Sequence, residues 1–475
     1  MSTRIDVRNP RTGAIDFSFE AADEAAIAAE ARRLREGQIG WEALGLEGRI
    51  GVMRRWSEAL ERHRAAITAA DSEDTGHGQV SRMCVDMTQA VIRSVCAQAP
   101  GLIPGAHRSG ASPAFPAIHY DTMLRAIPLV GVISPWNGPT MLSMMRSIAP
   151  LVAGCAVLLK PSEVTPRFTR PIFESVAEVP ELAAVFGHVL GAGATGAAVV
   201  ENVDLVNFCG SVGNGRRVAE ACGRRLIPCE LELGGKDPLI VTATADLDLA
   251  AIAAARGALT STGQVCFSIE RVYVERPVYA AFLEKLVDRV GRMKLNHPDP
   301  LDGPISPFIS KAQAELVDGQ IADAVAKGAT IVTGGPSFEL DGGRYMKPTI
   351  LTGVTHDMTV MRDETFGPII PVMPYDTADE AVALANDTIF GLSAAVMAGS
   401  VAEARAIGER LKAGNISLQD AHLTFAAAPA EADSYGVSGM GGRRSGILRY
   451  LKRTAFLHNT GTPVCLSERP LSAAD

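Results

Sequence analysis

From Leu129 onward the sequence alternates short apolar runs with longer stretches of helical period, and this alternation constrains the fold more than any other feature. A short run that stays apolar throughout is typical of a strand covered on both faces, and neighbouring parallel strands need a crossover helix between them. The first four runs are Leu129–Ser134, Ala156–Lys160, Val185–Leu190 and Leu205–Cys209. We therefore expect βαβ units that build a doubly wound parallel sheet.

A second region of the same character begins after Gly235. Its apolar runs are Pro238–Val241, Arg271–Val274, Thr330–Thr333 and Ala394–Met397. The segments Val278–Lys294 and Lys311–Lys327 have helical period, and Ser310 is placed to cap the second of them. A length of 475 residues suggests about three domains. We predict an α/β protein with two doubly wound parallel-sheet domains.

The first part of the chain is predicted to be mainly helical. Ala21–Glu36 has the period of a surface helix that Gly37 would close, and a second amphipathic region runs from about residue 47 to 70. The Pro-rich segment Gly101–Pro116 and the Gly-rich segment Gly436–Gly446 are candidate hinges.

Composition and charge argue against several classes of function. The chain carries 53 acidic and 45 basic residues, a net charge of −8, without a long Lys/Arg run, so nucleic-acid binding is not expected. Its eight cysteines and nine histidines show no CxxC, HxxxH or Cys/His pairing, which argues against a metal site or a disulfide scaffold. The longest apolar run, Ser147–Leu159, is too short to cross a bilayer, and the polar start of the chain is unlike a signal peptide. We predict a cytoplasmic protein that does not bind membranes.

Three side chains supply the groups that oxidation through a thioester requires. Cys266, at the end of Ser261-Thr262-Gly263-Gln264-Val265-Cys266, offers a thiol that attacks a carbonyl carbon. Asn137 offers an amide N–H for the resulting oxyanion, and Glu232 offers a carboxylate that activates water. Taken singly, they are more simply a buried small side chain, a turn residue and a surface carboxylate.

Two glycine-rich turns are candidates for binding a nucleotide phosphate. Gly191–Gly196 satisfies GxGxxG, but Asp204 comes too early to be the expected acidic partner and a short strand is expected to follow, so we interpret this turn as a decoy. Gly210–Gly215 leaves a predicted strand and enters the helical stretch 216–223, where backbone N–H groups could approach a pyrophosphate. A plain strand-to-helix turn remains the alternative.

Three motifs, taken together, resemble the aldehyde dehydrogenase superfamily in order and spacing along nearly the whole chain. They are Trp136-Asn137, Glu232-Leu233-Gly234-Gly235-Lys236 and Ser261–Cys266. The resemblance is to the NAD(P)-dependent, non-acylating members. It implies an NAD-binding domain (1–106 and 127–234), a catalytic domain (235–448) and a small β oligomerisation flap (107–126 and 449–475). In the flap, a segment near Tyr120–Ile127 would pair with Leu451–Asn459, and the protein would be a homodimer or homotetramer.

The resemblance also implies a mechanism. The Cys266 thiolate would add to the aldehyde, with the oxyanion held by the Asn137 amide and the Cys266 backbone N–H. The hemithioacetal would pass hydride to the nicotinamide, and Glu232 would activate the water that hydrolyses the thioester. Glu232 favours water over coenzyme A as the acyl acceptor, because acylating relatives commonly lack it.

The implied cofactor is NAD, with NADP less expected. Lys160 and Glu163 would hold the adenosine ribose hydroxyls, and a carboxylate at Glu163 would repel the 2′-phosphate of NADP. Ser211 would contact the pyrophosphate, Glu364 the nicotinamide ribose and Phe366 the nicotinamide side. The full implied set is Ser134, Pro135, Trp136, Lys160, Ser162, Glu163, Gly210, Ser211, Glu364 and Phe366.

The substrate is less constrained than the reaction. The sequence departs from the commonest family pattern at Gly138, Arg146, Gln419 and Gly436, whereas Ser438-Gly439-Met440-Gly441 resembles the fatty- and coniferyl-aldehyde branch. Segments that line the family's substrate tunnel carry Met141, Met144, Met145, Phe267 and Phe425, which are also ordinary core residues. An apolar or aromatic aldehyde is expected. The alternatives are a semialdehyde held by Arg146 or Arg443, and a catalytically silent family member.

Overall fold

The computed structural model describes residues 3–425, 432–440 and 446–462 and confirms the predicted α/β class. In the described part of the chain, a first sheet has six strands and is parallel apart from the edge strand Gly439–Met440. In spatial order, its strands are Gly439–Met440, Cys229–Glu232, Leu205–Cys209, Leu129–Ile133, Ala156–Lys160 and Phe186–His188.

A second sheet has seven strands within the described residues and is parallel apart from the edge strand Thr330–Thr333. In spatial order, they are Thr330–Thr333, Thr349–Thr352, Ile369–Tyr375, Ile269–Glu275, Asp237–Val241, Ser393–Met397 and Asn415–Leu418. Two antiparallel pairs, Arg4–Arg8 with Ile15–Glu20 and Phe338–Leu340 with Gly343–Tyr345, lie outside these sheets.

Helices cover both sheets. Those before residue 230 are Glu24–Ala43, Gly45–Arg62, Arg64–Thr75, Gly78–Ser81, Cys84–Gly105, Pro139–Ala153, Thr169–Ala177, Pro180–Ala183, Gly193–Asn202 and Val212–Arg225. Those after it are Leu247–Leu259, Tyr279–Gly291, Lys311–Ala326, Thr359–Arg362, Ala378–Asn386 and Val401–Gly408, with short 3₁₀ turns at Thr260–Gly263, Arg276–Val278, Leu423–Phe425 and Gly446–Tyr450. Because helices lie on both faces, the central strands Leu129–Ile133 and Ala156–Lys160 are buried at every position, which explains their continuous apolar runs.

The oligomerisation flap predicted from the resemblance has its two strands paired. Leu451–Asn459 runs antiparallel to Ile118–Ala126, in register from Leu451 opposite Ala126 to Asn459 opposite Ile118. Ser109–Ala111 pairs with the other edge of Ile118–Ala126, so the proposed hinge Gly101–Pro116 is instead the end of the helix Cys84–Gly105 followed by this strand.

The structure contradicts one local prediction and refines two others. Gly37 does not end the first helix but lies inside Glu24–Ala43, where a Cβ would come within 2.2 Å of the Ala184 carbonyl oxygen. The amphipathic region from about 47 to 70 is divided between two helices that meet at His63. Ser310 occupies the capping position of Lys311–Ala326 but makes no side-chain capping hydrogen bond.

The interpretation of Gly191–Gly196 as a decoy assumed that a short strand follows this turn, and that assumption was wrong. The turn opens the full helix Gly193–Asn202 rather than a strand. A Cβ on Gly196 would lie 4.0 Å from Lys160 Cδ, so this turn borders the side chain predicted to hold the ribose. Asp204 binds Arg35 instead of facing the turn.

Candidate active site

Most of the predicted cofactor residues follow strands of the first sheet. Ser134 and Trp136 come after Leu129–Ile133, Glu163 after Ala156–Lys160, and Ser211 after Leu205–Cys209. These strands are parallel, so their carboxyl ends lie along one edge of the sheet, which is where open α/β sheets bind ligands.

Lys160 is buried beside a carboxylate. Its side chain is 5% exposed, and its Nζ lies 3.2 Å from Glu163 Oε2, whose side chain is 39% exposed. Burial lowers the pKa of Lys160, and the charge of Glu163 partly opposes this shift. A buried cation and a more exposed carboxylate at a strand end can together bind the hydroxyl groups of a sugar.

Ser211 begins the helix Val212–Arg225. Its side-chain oxygen accepts from the Asn214 backbone N–H at 3.4 Å. Gly210 precedes it, where a Cβ would come within 2.7 Å of the Phe208 ring. The exposed N-terminus of this helix is therefore suited to an anion such as a pyrophosphate.

The segment Thr260–Cys266, called the cysteine loop below, has an unusual backbone. Ser261, Thr262 and Gly263 have φ values of 51°, 60° and 71°, so three consecutive residues are left-handed. A Cβ on Gly263 would lie 2.3 Å from the Gly367 carbonyl oxygen, so only glycine fits there. Strained backbone of this kind is found at active sites when its surroundings hold it in place.

Buried hydrogen bonds hold the cysteine loop. Thr262 Oγ1 accepts from the Ser306 backbone N–H at 2.8 Å. The Gln264 side chain accepts from the Ile309 N–H at 3.0 Å. Asn137 Nδ2 donates to the Gln264 carbonyl at 2.9 Å, which brings the predicted oxyanion donor to the loop that carries Cys266.

Cys266 itself lies in a desolvated and electronegative setting. Burial raises its pKa well above the ordinary value, and the nearby Cys209, Glu232 and Glu364 raise it further. Both effects favour the neutral thiol over the thiolate, so forming the thiolate requires a proton acceptor or a nearby positive charge.

Glu232 binds Arg146, which was predicted above as a departure from the family pattern and as an anchor for a semialdehyde. Arg146 Nη2 lies 3.1 Å from Glu232 Oε1, with the two side chains 17% and 19% exposed. Arg146 lies on the helix Pro139–Ala153, which begins two residues after Asn137. The pair orients the Glu232 carboxylate and occupies the guanidinium that the alternative hypothesis had assigned to a substrate carboxylate.

The segment Glu364–Phe366, called the clamp loop below, contacts both the segment after Glu232 and the segment after the strand Leu129–Ile133. Glu364 Oε1 accepts from the Gly235 N–H at 3.1 Å, and a Cβ on Gly234 would meet this carboxylate at 2.5 Å. Phe366 packs edge-on against Trp136, with ring centroids 5.3 Å apart. Burial, followed by the charge of Glu270, raises the pKa of Glu364 to about 8.

Of the predicted tunnel residues, Met144 is fully buried and belongs to the core, whereas Met141 and Met145 are partly exposed. Phe267 packs edge-on against His422, with ring centroids 4.7 Å apart, and burial lowers the pKa of His422 to about 4. The side chains of Phe425 and Arg443 lie outside the described residues.

Two of the departures from the family pattern have a local explanation. Gln419 bonds the Ala398 backbone through both ends of its amide, at 3.1 and 2.8 Å. Gly436 has φ of +58°, and a Cβ there would lie 2.0 Å from the Ile389 carbonyl oxygen. Both residues therefore support neighbouring loops.

Sequence reasoning missed Lys236, Glu270 and His422. Glu270 could have been noticed as a carboxylate near the start of an otherwise apolar strand, Ile269–Glu275.

Among the described residues, no group of His, Cys, Asp and Glu could hold a metal ion. In the same part of the chain, no helix is long and apolar enough to cross a bilayer.

Comparisons with known proteins agree with this geometry. A protein of Mycolicibacterium smegmatis is 38% identical to this chain over 438 residues, which cover 89% of this chain and 83% of that protein. Its provisional name is succinate-semialdehyde dehydrogenase [NADP(+)]. The solved structure of PutA from Anabaena variabilis, provisionally named an aldehyde dehydrogenase, has a TM-score of 0.94 at 44% identity and covers 98% of this chain and 99% of that one. Betaine aldehyde dehydrogenase from Staphylococcus aureus, solved with NAD+, has a TM-score of 0.90 at 29% identity over 97% and 93% of the two chains. The profile of the aldehyde dehydrogenase family matches residues 1–455. The chain therefore belongs to the aldehyde dehydrogenase family, whose members are oxidoreductases that act on aldehydes.

Proposed function

We propose that this protein oxidises an aldehyde to the carboxylic acid, with NAD as hydride acceptor, through a thioester on Cys266. The observation that carries the proposal is the meeting of three groups from distant parts of the chain. The Asn137 amide lies on the cysteine loop, and Glu232 is held at the end of its strand by Arg146. Neither of these two contacts is required to fill the core, which argues against a catalytically silent protein.

In the proposed reaction the Cys266 thiol releases its proton to solvent, and the resulting thiolate forms a C–S bond with the aldehyde carbon while the C=O π electrons move to the oxygen. The Asn137 Nδ2–H and the Cys266 backbone N–H donate to the oxyanion. A nicotinamide held by Glu364 and Phe366 would supply the hydride acceptor that converts this adduct to the thioester on Cys266. Glu232 takes a proton from water, the hydroxide adds to the thioester carbonyl, and the C–S bond breaks to release the acid and the thiol.

The residues that would hold a dinucleotide suit its chemistry from end to end. Lys160 and Glu163 would bind the adenosine ribose, and Ser211 at its helix N-terminus would bind the pyrophosphate. Glu364 would accept from the nicotinamide ribose hydroxyls, while Trp136 and Phe366 flank the ring. Ser134, Pro135, Ser162 and Gly210 complete the lining. NAD is favoured over NADP because Glu163 would repel a 2′-phosphate, whereas the provisional name of the mycobacterial relative favours NADP.

An apolar or aromatic aldehyde is the substrate class that the contacts favour. Arg146 is bound to Glu232, so it is not available to anchor a substrate carboxylate. Phe267, next to Cys266, presents an aromatic ring that packs on His422. A semialdehyde is the second candidate, supported by the name of the mycobacterial relative.

The test is the appearance of reduced cofactor when the protein is mixed with NAD or NADP and a panel of aldehydes. The panel contains hexanal, benzaldehyde and succinic semialdehyde. Cys266→Ser is expected to abolish oxidation and to leave NAD binding intact, because a serine hydroxyl is a far poorer nucleophile without a dedicated base. Near wild-type turnover in the serine variant would contradict the covalent mechanism.

A further inference from the structure

Three segments of the candidate site meet at one buried polar cluster. The cluster consists of Lys236, Glu270 and Thr365, which are at most 3% exposed. Lys236 follows the strand that ends in Glu232, Glu270 comes four residues after Cys266, and Thr365 lies in the clamp loop. The chemistry proposed above assigns no role to Lys236 or Glu270.

The Glu270 carboxylate receives four hydrogen bonds. Its Oε1 accepts from the backbone N–H groups of Thr365 at 3.0 Å and Phe366 at 2.8 Å. Its Oε2 accepts from the Thr365 N–H at 2.8 Å and from Lys236 Nζ at 2.7 Å. Lys236 Nζ also donates to Thr365 Oγ1 at 2.8 Å. Burial lowers the pKa of Lys236 and the charge of Glu270 opposes this shift, so each charge stabilises the other.

The clamp loop needs such support because of its own conformation. Phe366 has φ of 54°, which is costly for a residue with a side chain. The loop carbonyls are fixed from the opposite side, where Gln313 Nε2 donates to the Thr365 oxygen at 2.7 Å and Gln320 Nε2 to the Glu364 oxygen at 3.2 Å. Glu270 therefore sets the direction of two successive peptide N–H groups, and with them the positions of the Glu364 and Phe366 side chains.

We propose that Glu270, neutralised by Lys236, is a positioning residue that holds the clamp loop in the conformation that binds the nicotinamide ribose. The inference rests on the proposed function, which assigns Glu364 and Phe366 to the cofactor. Glutamine at this position would keep the size of the side chain, but in either orientation of its amide an NH₂ would face the Thr365 N–H, which the carboxylate accepts through both oxygens. Donor facing donor leaves buried groups unpaired, and the loop would have to move.

The experiment measures NAD binding by isothermal titration calorimetry on the full-length protein. Glu270→Gln is expected to raise the Kd for NAD about tenfold and the KM for NAD in parallel, with kcat at saturating NAD changed less than about threefold. The double variant Lys236→Met/Glu270→Gln removes both charges and covers the case in which an unpaired Lys236 prevents folding. It is expected to show the same rise in Kd.

Asp74→Asn is the matched control. Asp74 is also a fully buried carboxylate, it accepts from the Arg167 backbone N–H at 2.7 Å and from its guanidinium, and among the described residues it makes no hydrogen bond to the clamp loop. Its replacement is expected to lower the melting temperature and to leave the Kd for NAD unchanged. An equal rise in Kd in this control would reduce the Glu270 effect to general destabilisation and overturn the inference.

The remaining outcomes separate this inference from the proposed function. If the wild-type protein binds neither NAD nor NADP, the proposed function fails. If it binds NAD and the Glu270→Gln protein keeps the wild-type Kd, the positioning role alone is wrong. Failure of both the single and the double variant to fold would make the pair a stability element and would also overturn the assignment.

Discussion

Cys266 and Glu232 lie in settings of opposite character. Burial and nearby carboxylates keep the Cys266 thiol neutral, whereas Glu232 is bound to Arg146. The Cys266 thiol therefore needs to be activated, whereas the Glu232 carboxylate is already oriented before substrate binds.

Glu232→Gln should separate the two halves of the proposed reaction. Thioester formation does not need the Glu232 carboxylate, but hydrolysis does, so a rapid burst of NADH about equal to the enzyme concentration should precede slow turnover. Stopped-flow absorbance measures both phases. Loss of the burst would assign Glu232 to a step before hydride transfer.

Glu163→Ser should narrow the preference for NAD. The Glu163 carboxylate lies beside the buried Lys160, where a 2′-phosphate would meet a like charge at close range. Serine removes that charge and leaves Lys160 free to attract the phosphate. The ratio of kcat/KM for NAD to that for NADP is the measurement, and Glu174→Ser, which removes a surface carboxylate paired with Arg170, is the control. A ratio unchanged by Glu163→Ser would mean that Glu163 does not contact the ribose.

At the scale of elements, the clamp loop and the cysteine loop depend on each other. The Gly367 carbonyl fills the space that a side chain on Gly263 would need, and Phe366 packs on Trp136 from the first sheet. The cysteine loop therefore packs against the residue that follows the clamp loop, although the two segments are distant in the sequence. Their conformations are set by contact rather than by local propensity.

The clamp loop predicts a pH dependence of NAD binding. The pKa of Glu364 is raised to about 8, so the carboxyl is mostly protonated at neutral pH and ionises as the pH rises through that value. An ionised carboxylate accepts stronger hydrogen bonds from ribose hydroxyls, so the Kd for NAD should fall from about pH 6 to about pH 10. Calorimetry across this range measures the trend, and Glu364→Gln should abolish it. A pH dependence that survives in the variant would have another origin.

At the scale of the whole molecule, the flap leaves an unpartnered surface. The outer strand Leu451–Asn459 exposes Phe456 and Leu457, at 51% and 71%, and its outer edge is not paired in the described chain. An exposed edge strand with apolar side chains is a surface that favours association. We predict a homodimer or homotetramer.

Truncation tests the predicted oligomer. Removing all residues after Leu451 deletes the outer strand and exposes Ile118–Ala126, so the product should be a monomer or an aggregate. Removing only residues 463–475 keeps the strand and should keep the oligomer. Light scattering coupled to size-exclusion chromatography distinguishes these states. A monomeric full-length protein would contradict the prediction.

The sequence by itself determined the fold class, the central strands and the three motifs of the site. Those strands are covered on both faces, so burial is written into them as continuous apolar runs. The motifs could be recognised because each holds its chemistry within a few neighbouring residues.

Tertiary structure decided what depends on contacts between distant segments. Gly37 lies inside a helix at a point where the Ala184 backbone leaves no room for a side chain, and Gly191–Gly196 opens a helix that borders Lys160. Arg146 orients Glu232 across two elements, and Glu270, on the strand that follows the cysteine loop, holds the clamp loop. Local patterns encode periodicity and burial, whereas an ion pair or a close approach depends on the positions that the whole fold gives to both partners.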